Sequence, residues 1–381
     1  MRRQLLQALA LGSIGLPARA TQATPTAVAV GSDRFATVTP ARPLIFPRDH
    51  GSHPEYRIEW WYLTAWARAE PIALDIGLQI TFFRINTGHQ RGHSSRFAAK
   101  QLMFAHAALA IPGQPGLIMA ERVARGGLGL AEAASDDTRL VLDRWQLLRK
   151  PDDSYEAIIN DSLFSLGIRL QARHAPLLQG EQGFSRKGPD AAQASYYYSR
   201  PAMPLEGQLA LKPGGVGKPS TSWREPATLR GEAWFDHEWS SELLDARAEG
   251  WDWVGLHLTD GSSLMAFRIR DRAGGVLWSD ANWVDAAQRP LMAPGQTQTV
   301  RFEPLRIWRS PRTGAKWPVA MRLSLGGRSL ELQPLLDDQE LLTQASTGVT
   351  YWEGAVIVLE DGRQVGRGYL ELTGYAQALR I

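Results

Sequence analysis

The sequence predicts an all-β protein made of two antiparallel β-barrels packed together. Three observations predict it. Apolar and polar residues alternate with the two-residue period of half-buried strands, tight-turn dipeptides separate the runs, and no stretch holds a clean helical period over four turns. A length of 381 residues, 44% of them apolar, suffices for two cores. Many antiparallel strands joined by short turns must close or stack to hide their edges.

The elements follow in chain order. Residues 21–43 are rich in Ala, Thr, Pro and Val without a period and read as a flexible leader. Residues 59–66 open the β pattern, with Trp60, Tyr62, Thr64 and Trp66 on one face and Trp61 and Leu63 on the other. Strand-like runs follow at 73–85, 102–111, 140–148 and 155–170. In the later half, 251–258 and 263–270 flank the turn Thr259-Asp260-Gly261-Ser262, and 356–360 and 363–372 flank Asp361-Gly362. A weak internal echo supports two units. Trp60-Trp61 precedes Phe83-Arg84-Ile85, and Trp251 and Trp253 precede Phe267-Arg268-Ile269. The expected organisation is a first barrel domain at 44–211, a Pro- and Gly-rich linker at 212–226 and a second barrel domain at 227–381.

Residues 1–20 read as a signal peptide. A basic head with Arg2 and Arg3 precedes a mostly apolar run at 5–16 and the ending Pro17-Ala18-Arg19-Ala20. The apolar run is far short of the roughly 20 residues that span a bilayer. Both Sec export and twin-arginine export fit, so the expected location is periplasmic or secreted, with no transmembrane segment in the mature chain. The formal charge of +3 comes from this segment, which leaves the remainder neutral and gives nucleic-acid binding no electrostatic footprint. The absence of cysteine excludes disulfides, thiolate metal sites and a cysteine nucleophile. No Gly-x-Ser-x-Gly elbow, phosphate loop or dinucleotide fingerprint occurs, so no cofactor is expected.

Several blocks resemble the family of bacterial carotenoid 1,2-hydratases and AttH proteins, the latter often described as secreted hydrolases. They are Phe46-Pro47-Arg48-Asp49-His50, His53-Pro54-Glu55, Glu59-Trp60-Trp61-Tyr62, Phe104-Ala105-His106 and Tyr197-Tyr198-Ser199-Arg200-Pro201. The series continues with Gly231-Glu232-Ala233-Trp234-Phe235-Asp236-His237-Glu238-Trp239, Tyr351-Trp352-Glu353-Gly354-Ala355 and Gly366-Arg367-Gly368-Tyr369. The resemblance implies two lipocalin-like barrels and, through the family's common association, an ABC-type permease as partner.

Asp236, His237 and Trp239 are the candidate catalytic residues. On a strand, His237 shares a face with Phe235 and Trp239, while Asp236 and Glu238 share the other. Adding water to an isoprenoid double bond needs an acid, aromatic faces to stabilise a tertiary cation, and a base-activated water. The hydratases resembled here use a His-x-Trp pair, matched by His237 and Trp239, together with a Tyr and an Asp on the following strand. Residues 264–269 of this chain hold neither.

Trp60, Tyr62, His106, Tyr197, Trp234, Trp253 and Trp352 are the expected lining of a pocket for a hydrophobic, isoprenoid or lipid-like molecule. Asp49, His50, His53, Glu55 and Glu59 carry metal-ligating atoms within a short loop, but the expectation there is no metal and an arginine partner for Glu59. Two functions stay open, a carrier and a hydratase or related lyase. They differ in whether His237 stands at the pocket wall.

Overall fold

The computed structural model describes residues 35–88, 98–212, 225–242, 244–292 and 300–379. The expected signal peptide, the leader up to residue 34 and most of the expected linker lie outside them. The regular secondary structure of the described residues is strand, apart from one short 3-10 turn at Arg48–His50.

The first sheet contains β1 (Ile58–Glu70), β2 (Leu74–Asn86), β3 (Gln101–Ala110), β4 (Ile118–Arg125), β5 (Ala131–Ala133), β6 (Arg139–Leu142) and β7 (Trp145–Arg149). It continues with β8 (Ser154–Asn160), β9 (Phe164–Gln171), β10 (Leu177–Leu178), β11 (Phe184–Arg186), β12 (Ala194–Leu211) and β13 (Ala227–Ser240). Its antiparallel order is β4-β3-β2-β1-β13-β12-β9-β8-β7-β6-β5, with β10 and β11 also on β12. β6 returns beside β3 and β4, so the sheet nearly closes into a barrel.

The second sheet contains β14 (Ala248–Leu258), β15 (Ser263–Asp271), β16 (Val276–Val284), β17 (Arg301–Arg309) and β18 (Lys316–Leu325). Then come β19 (Arg328–Pro334), β20 (Glu340–Leu342), β21 (Thr350–Glu360) and β22 (Arg363–Leu372). Its order, β16-β15-β14-β22-β21-β19-β18-β17 with β20 on β21, makes a half-barrel.

Period-two patterning explains both cores. On β1, Trp61 and Leu63 point into the first barrel opposite Phe82 and Ile80 of β2, and all four are buried. Tyr62 and Trp66 point outward and pack in a separate cluster with Trp253, Phe267 and Tyr369 of the second sheet. The β21–β22 hairpin turns on Asp361 and Gly362, both with positive φ, the geometry that Asp-Gly favours.

Two expected runs are interrupted by turns. Residues 140–148 split at Asp143, which has φ of 54°, and residues 155–170 split at 161–163 between β8 and β9. The boundary between halves also moves. β13, placed by sequence in the second domain, lies between β1 and β12 in the first sheet, because Leu229, Ala233, Phe235 and Trp239 complete that core. The chain changes sheets between Ser240 and Ala248, not at 212–226.

The outer face of β1–β3 lies against the second sheet. Trp66 Nε1 donates to the carbonyl of Gly368 at 2.8 Å. Gly77 permits the approach, since a Cβ there would lie 2.6 Å from both the Ala355 Cβ and the Tyr369 hydroxyl.

Candidate functional site

Alternation along β13 sends neighbouring side chains into two different environments. Trp234, Asp236 and Glu238 face the second sheet, and Phe235, His237 and Trp239 face the interior of the first barrel.

On the inward face, His237 is fully buried in a continuous polar array. Its Nε2 lies 2.9 Å from Glu59 Oε1, and its Nδ1 lies 3.2 Å from the Tyr198 hydroxyl. Arg200 donates to His50 Nε2 at 3.3 Å, which leaves the His50 Nδ1–H to donate to the Tyr198 oxygen at 2.9 Å. Tyr198 then donates to His237, and His237 donates to Glu59. His53 bridges two carboxylates, with Nδ1 2.7 Å from Glu59 and Nε2 3.0 Å from Asp49. Arg84 Nε donates to the other Glu59 oxygen at 2.8 Å, and Arg42 Nη2 donates to Asp49 at 2.8 Å.

The rings of this array are packed tightly. His53 stacks on Trp239 with centroids 3.7 Å apart, and His237 stacks on Trp61 at 4.6 Å. Burial pulls His237 down to about 4 against the opposing effect of Glu59, so it is a neutral imidazole. Asp49 is held down at about 2 despite its burial, chiefly by the hydrogen bond from His53.

His53, Glu59 and His237 bring ligating atoms within 4.8 Å of one another. Those atoms already bond one another, and Glu59 also carries the Arg84 guanidinium. A divalent cation would meet that positive charge, so the arrangement fits a hydrogen-bonded clamp. The arginine expected to partner Glu59 is Arg84.

On the outward face lies a cavity of about 330 Å³ between the outside of β1–β3 and strands β14, β15, β21 and β22. Six of the expected residues line it: Trp60, Tyr62, His106, Tyr197, Asp236 and Trp253. Four do not. His237 and Trp239 belong to the clamp. Trp234 lies beneath the wall, donating from Nε1 to Asp236 Oδ1 at 2.7 Å. Trp352 fills the second sheet's core, where Gly354 makes room for its ring; a Cβ on Gly354 would fall 1.8 Å from a ring atom.

The cavity's polar groups are few and placed by hydrogen bonds. Asp236, 3% exposed, accepts from Tyr197 at 2.8 Å, Ser199 at 2.5 Å and Trp234. Burial nevertheless pushes its carboxyl up to about 7, and the Glu238 charge adds to this. Tyr62 donates to Glu353 Oε2 at 2.7 Å. Burial and the facing Glu371 raise Glu353 well above the usual range, and burial raises Glu371 to about 8. Lys187 Nζ pairs with Glu238 at 3.0 Å and lies over the rings of Tyr197 and Phe267.

At the rim, Ser346 donates to Glu121 at 2.5 Å, because a carboxylate can only accept. His106 must then donate from Nε2 to Ser346 at 2.9 Å and accept at Nδ1 from Tyr351 at 2.6 Å. Burial lowers His106 to about 3, consistent with this neutral tautomer. Ser346 therefore sends its proton away from the imidazole and is not arranged as a nucleophile.

Sequence reasoning missed Glu353, Glu371, Lys187, Ser346 and Tyr351. The first stood in a quoted block beside Trp352, and strand alternation places the two on opposite faces. An acid in the middle of an apolar strand was the available signal.

The fold and the cavity together define a lipocalin-like double-sheet protein with an aromatic, acid-bearing pocket between its sheets. The AttH-like family profile matches residues 37–375, and the chain belongs to that family. It is similar to a crystal structure of an AttH-type protein from Nitrosomonas europaea, with 43% identity over 90% of this chain and 100% of that one and a TM-score of 0.79. Kievitone hydratase from Nectria haematococca shares the fold at 14% identity, over 90% and 97% of the two chains, with a TM-score of 0.64. CghA with Sch210972 shares it at 12% identity over 90% and 97%, with a TM-score of 0.53. A search of the curated proteins finds no match to this sequence.

Proposed function

We propose that the protein binds a hydrophobic small molecule, isoprenoid or lipid-like, in the cavity between its two sheets. The observation that carries this reading is the cavity wall, where Trp60, Tyr62, Phe83, Phe104, Trp253 and Phe267 surround a small set of oriented polar groups. Export by way of residues 1–20 and service to an ABC-type permease belong to the same proposal. Among the described residues no helix is long and apolar enough to cross a membrane. Native mass spectrometry of protein purified from its own host tests the reading. A co-purifying apolar ligand is expected with wild type and should be depleted in Trp253→Ala. Ligand-free wild-type protein would count against it.

A second reading, hydration of an isoprenoid double bond, is favoured by one observation. Asp236, poised at about 7, stands at a wall faced with aromatic rings. In this reading the protonated Asp236 gives its proton to the alkene, the rings stabilise the tertiary cation, water adds to it, and the water's proton returns to Asp236. The acid role falls to Asp236 because His237 does not line the cavity. The likeness to kievitone hydratase supports the architecture alone. A ligand carrying one added water with wild type, and found as the unmodified alkene with Asp236→Asn, would favour the enzyme over the carrier.

A further inference from the structure

Glu353 and Glu371 are direct cross-strand partners on β21 and β22, an arrangement that destabilises a sheet when both are charged. Both side chains reach the cavity, as does Asp236. Among the described residues no lysine or arginine pairs with any of the three, and Lys187, the cation of the lining, is engaged by Glu238. Glu353 is 3% exposed. Its Oε2 accepts from Tyr62, and its Oε1 accepts no hydrogen bond from a described residue, leaving that oxygen open to the cavity. The rings beside this pair are Tyr62 and Trp253, which meet edge to face at 5.3 Å, and Trp253 is the register partner of Glu371.

We propose that the cavity takes a hydrophobic amine, with its ammonium held between the Glu353–Glu371 pair and the rings of Tyr62 and Trp253. This inference rests on the reading of the cavity as a ligand site. The apolar lining accepts the ligand's body, aromatic faces attract a cation, and the carboxyl pair supplies the missing counter-charge. Without a ligand, burial raises both carboxyls, and the facing Glu371 adds to the rise of Glu353, so the pair is pushed toward its neutral form. The groups facing them leave that balance intact. They are Tyr62 from β1, Asp236 and Glu238 from β13, Asp252 from β14, and Tyr351 and Tyr369 on β21 and β22; Asp252 is paired with Arg268 and Arg270. An entering ammonium favours the ionised form. One carboxyl then releases its proton to solvent, and the complex holds an ammonium–carboxylate pair.

Titration calorimetry with octylamine, octanol and octanoate tests this, near neutral pH in two buffers of different ionisation enthalpy. Octylamine is expected to bind at least about tenfold more tightly than octanol, to release protons that octanol does not, and to gain affinity from mildly acidic to mildly alkaline pH. Octanoate is expected to bind most weakly. Glu353→Gln should remove the preference for the amine while octanol binding persists; if that variant does not fold by circular dichroism, Glu371→Gln serves instead. Equal binding of octylamine and octanol overturns the amine inference and leaves the cavity reading standing. Binding of neither overturns both.

Discussion

The two faces of β13 place similar chemistry in opposite electrostatic states. Toward the first barrel, Glu59 and Asp49 are fully buried, yet arginines and histidines hold them ionised. Toward the second sheet, Asp236, Glu353 and Glu371 have no paired lysine or arginine among the described residues and are pushed toward their neutral forms. Burial alone does not decide the charge of a buried carboxyl; the presence of a counter-charge does. The paired array ties the 3-10 turn segment and β1 to β13 and acts as a clamp. The unpaired set faces a cavity, and in the proposed reading an entering cation relieves its unfavourable placement.

The comparison is broken most severely by removing the clamp's central acid. Glu59→Gln leaves Arg84 buried without its counter-charge and is expected to cost about 3–5 kcal/mol in urea unfolding. Glu371→Gln should stay within about 0.5 kcal/mol of wild type at mildly acidic pH, where Glu371 is already neutral. Similar losses in the two variants would remove the distinction between the faces.

The pH dependence of stability separates them next. Asp49, lowered from 3.8 to about 2, binds its proton more weakly in the folded chain than in the unfolded one. Its contribution is present above pH 3.8 and is lost as pH falls through about 2. Glu371, raised from 4.5 to about 8, has the opposite sign. Its contribution is fully present below pH 4.5 and is lost as pH rises from there through about 8. Thermal melts across pH should show both slopes. The double variant with Glu353→Gln and Glu371→Gln should reduce the alkaline one to the part that Asp236, raised to about 7, contributes, and leave the acid one unchanged.

The smallest expected effect sharpens the rim of the cavity. Tyr351→Phe removes the donor to His106 Nδ1 and should cost about 1 kcal/mol. Nitrogen NMR of the wild-type imidazole should place its proton on Nε2. A proton on Nδ1 would reverse the deduced direction of the Tyr351–His106–Ser346–Glu121 chain.

Much of this protein was legible along the chain because strand alternation is a local signal. It assigned Trp61 and Leu63 to one face of β1 and Trp60 and Tyr62 to the other, and it put His237 opposite Asp236. It could not say which face looked into the barrel and which into the cavity, so it left open whether His237 or Asp236 stands at the pocket wall; the structure places Asp236 there. Trp352 and Glu353 repeat the lesson on β21, where the aromatic fills the core and the acid lines the pocket.

By itself, then, the sequence determined the all-β class, most strands, the tight turns and the family, since each depends on neighbours within a few residues or on short blocks. The tertiary structure decided what depends on distant partners. It joined β13 to the first sheet, gave Glu59 to Arg84 and His237, and set Glu353 under Tyr62, 291 positions away in the chain. Which residue is charged, which is clamped and which faces the cavity are properties of those encounters, and no local pattern encodes them.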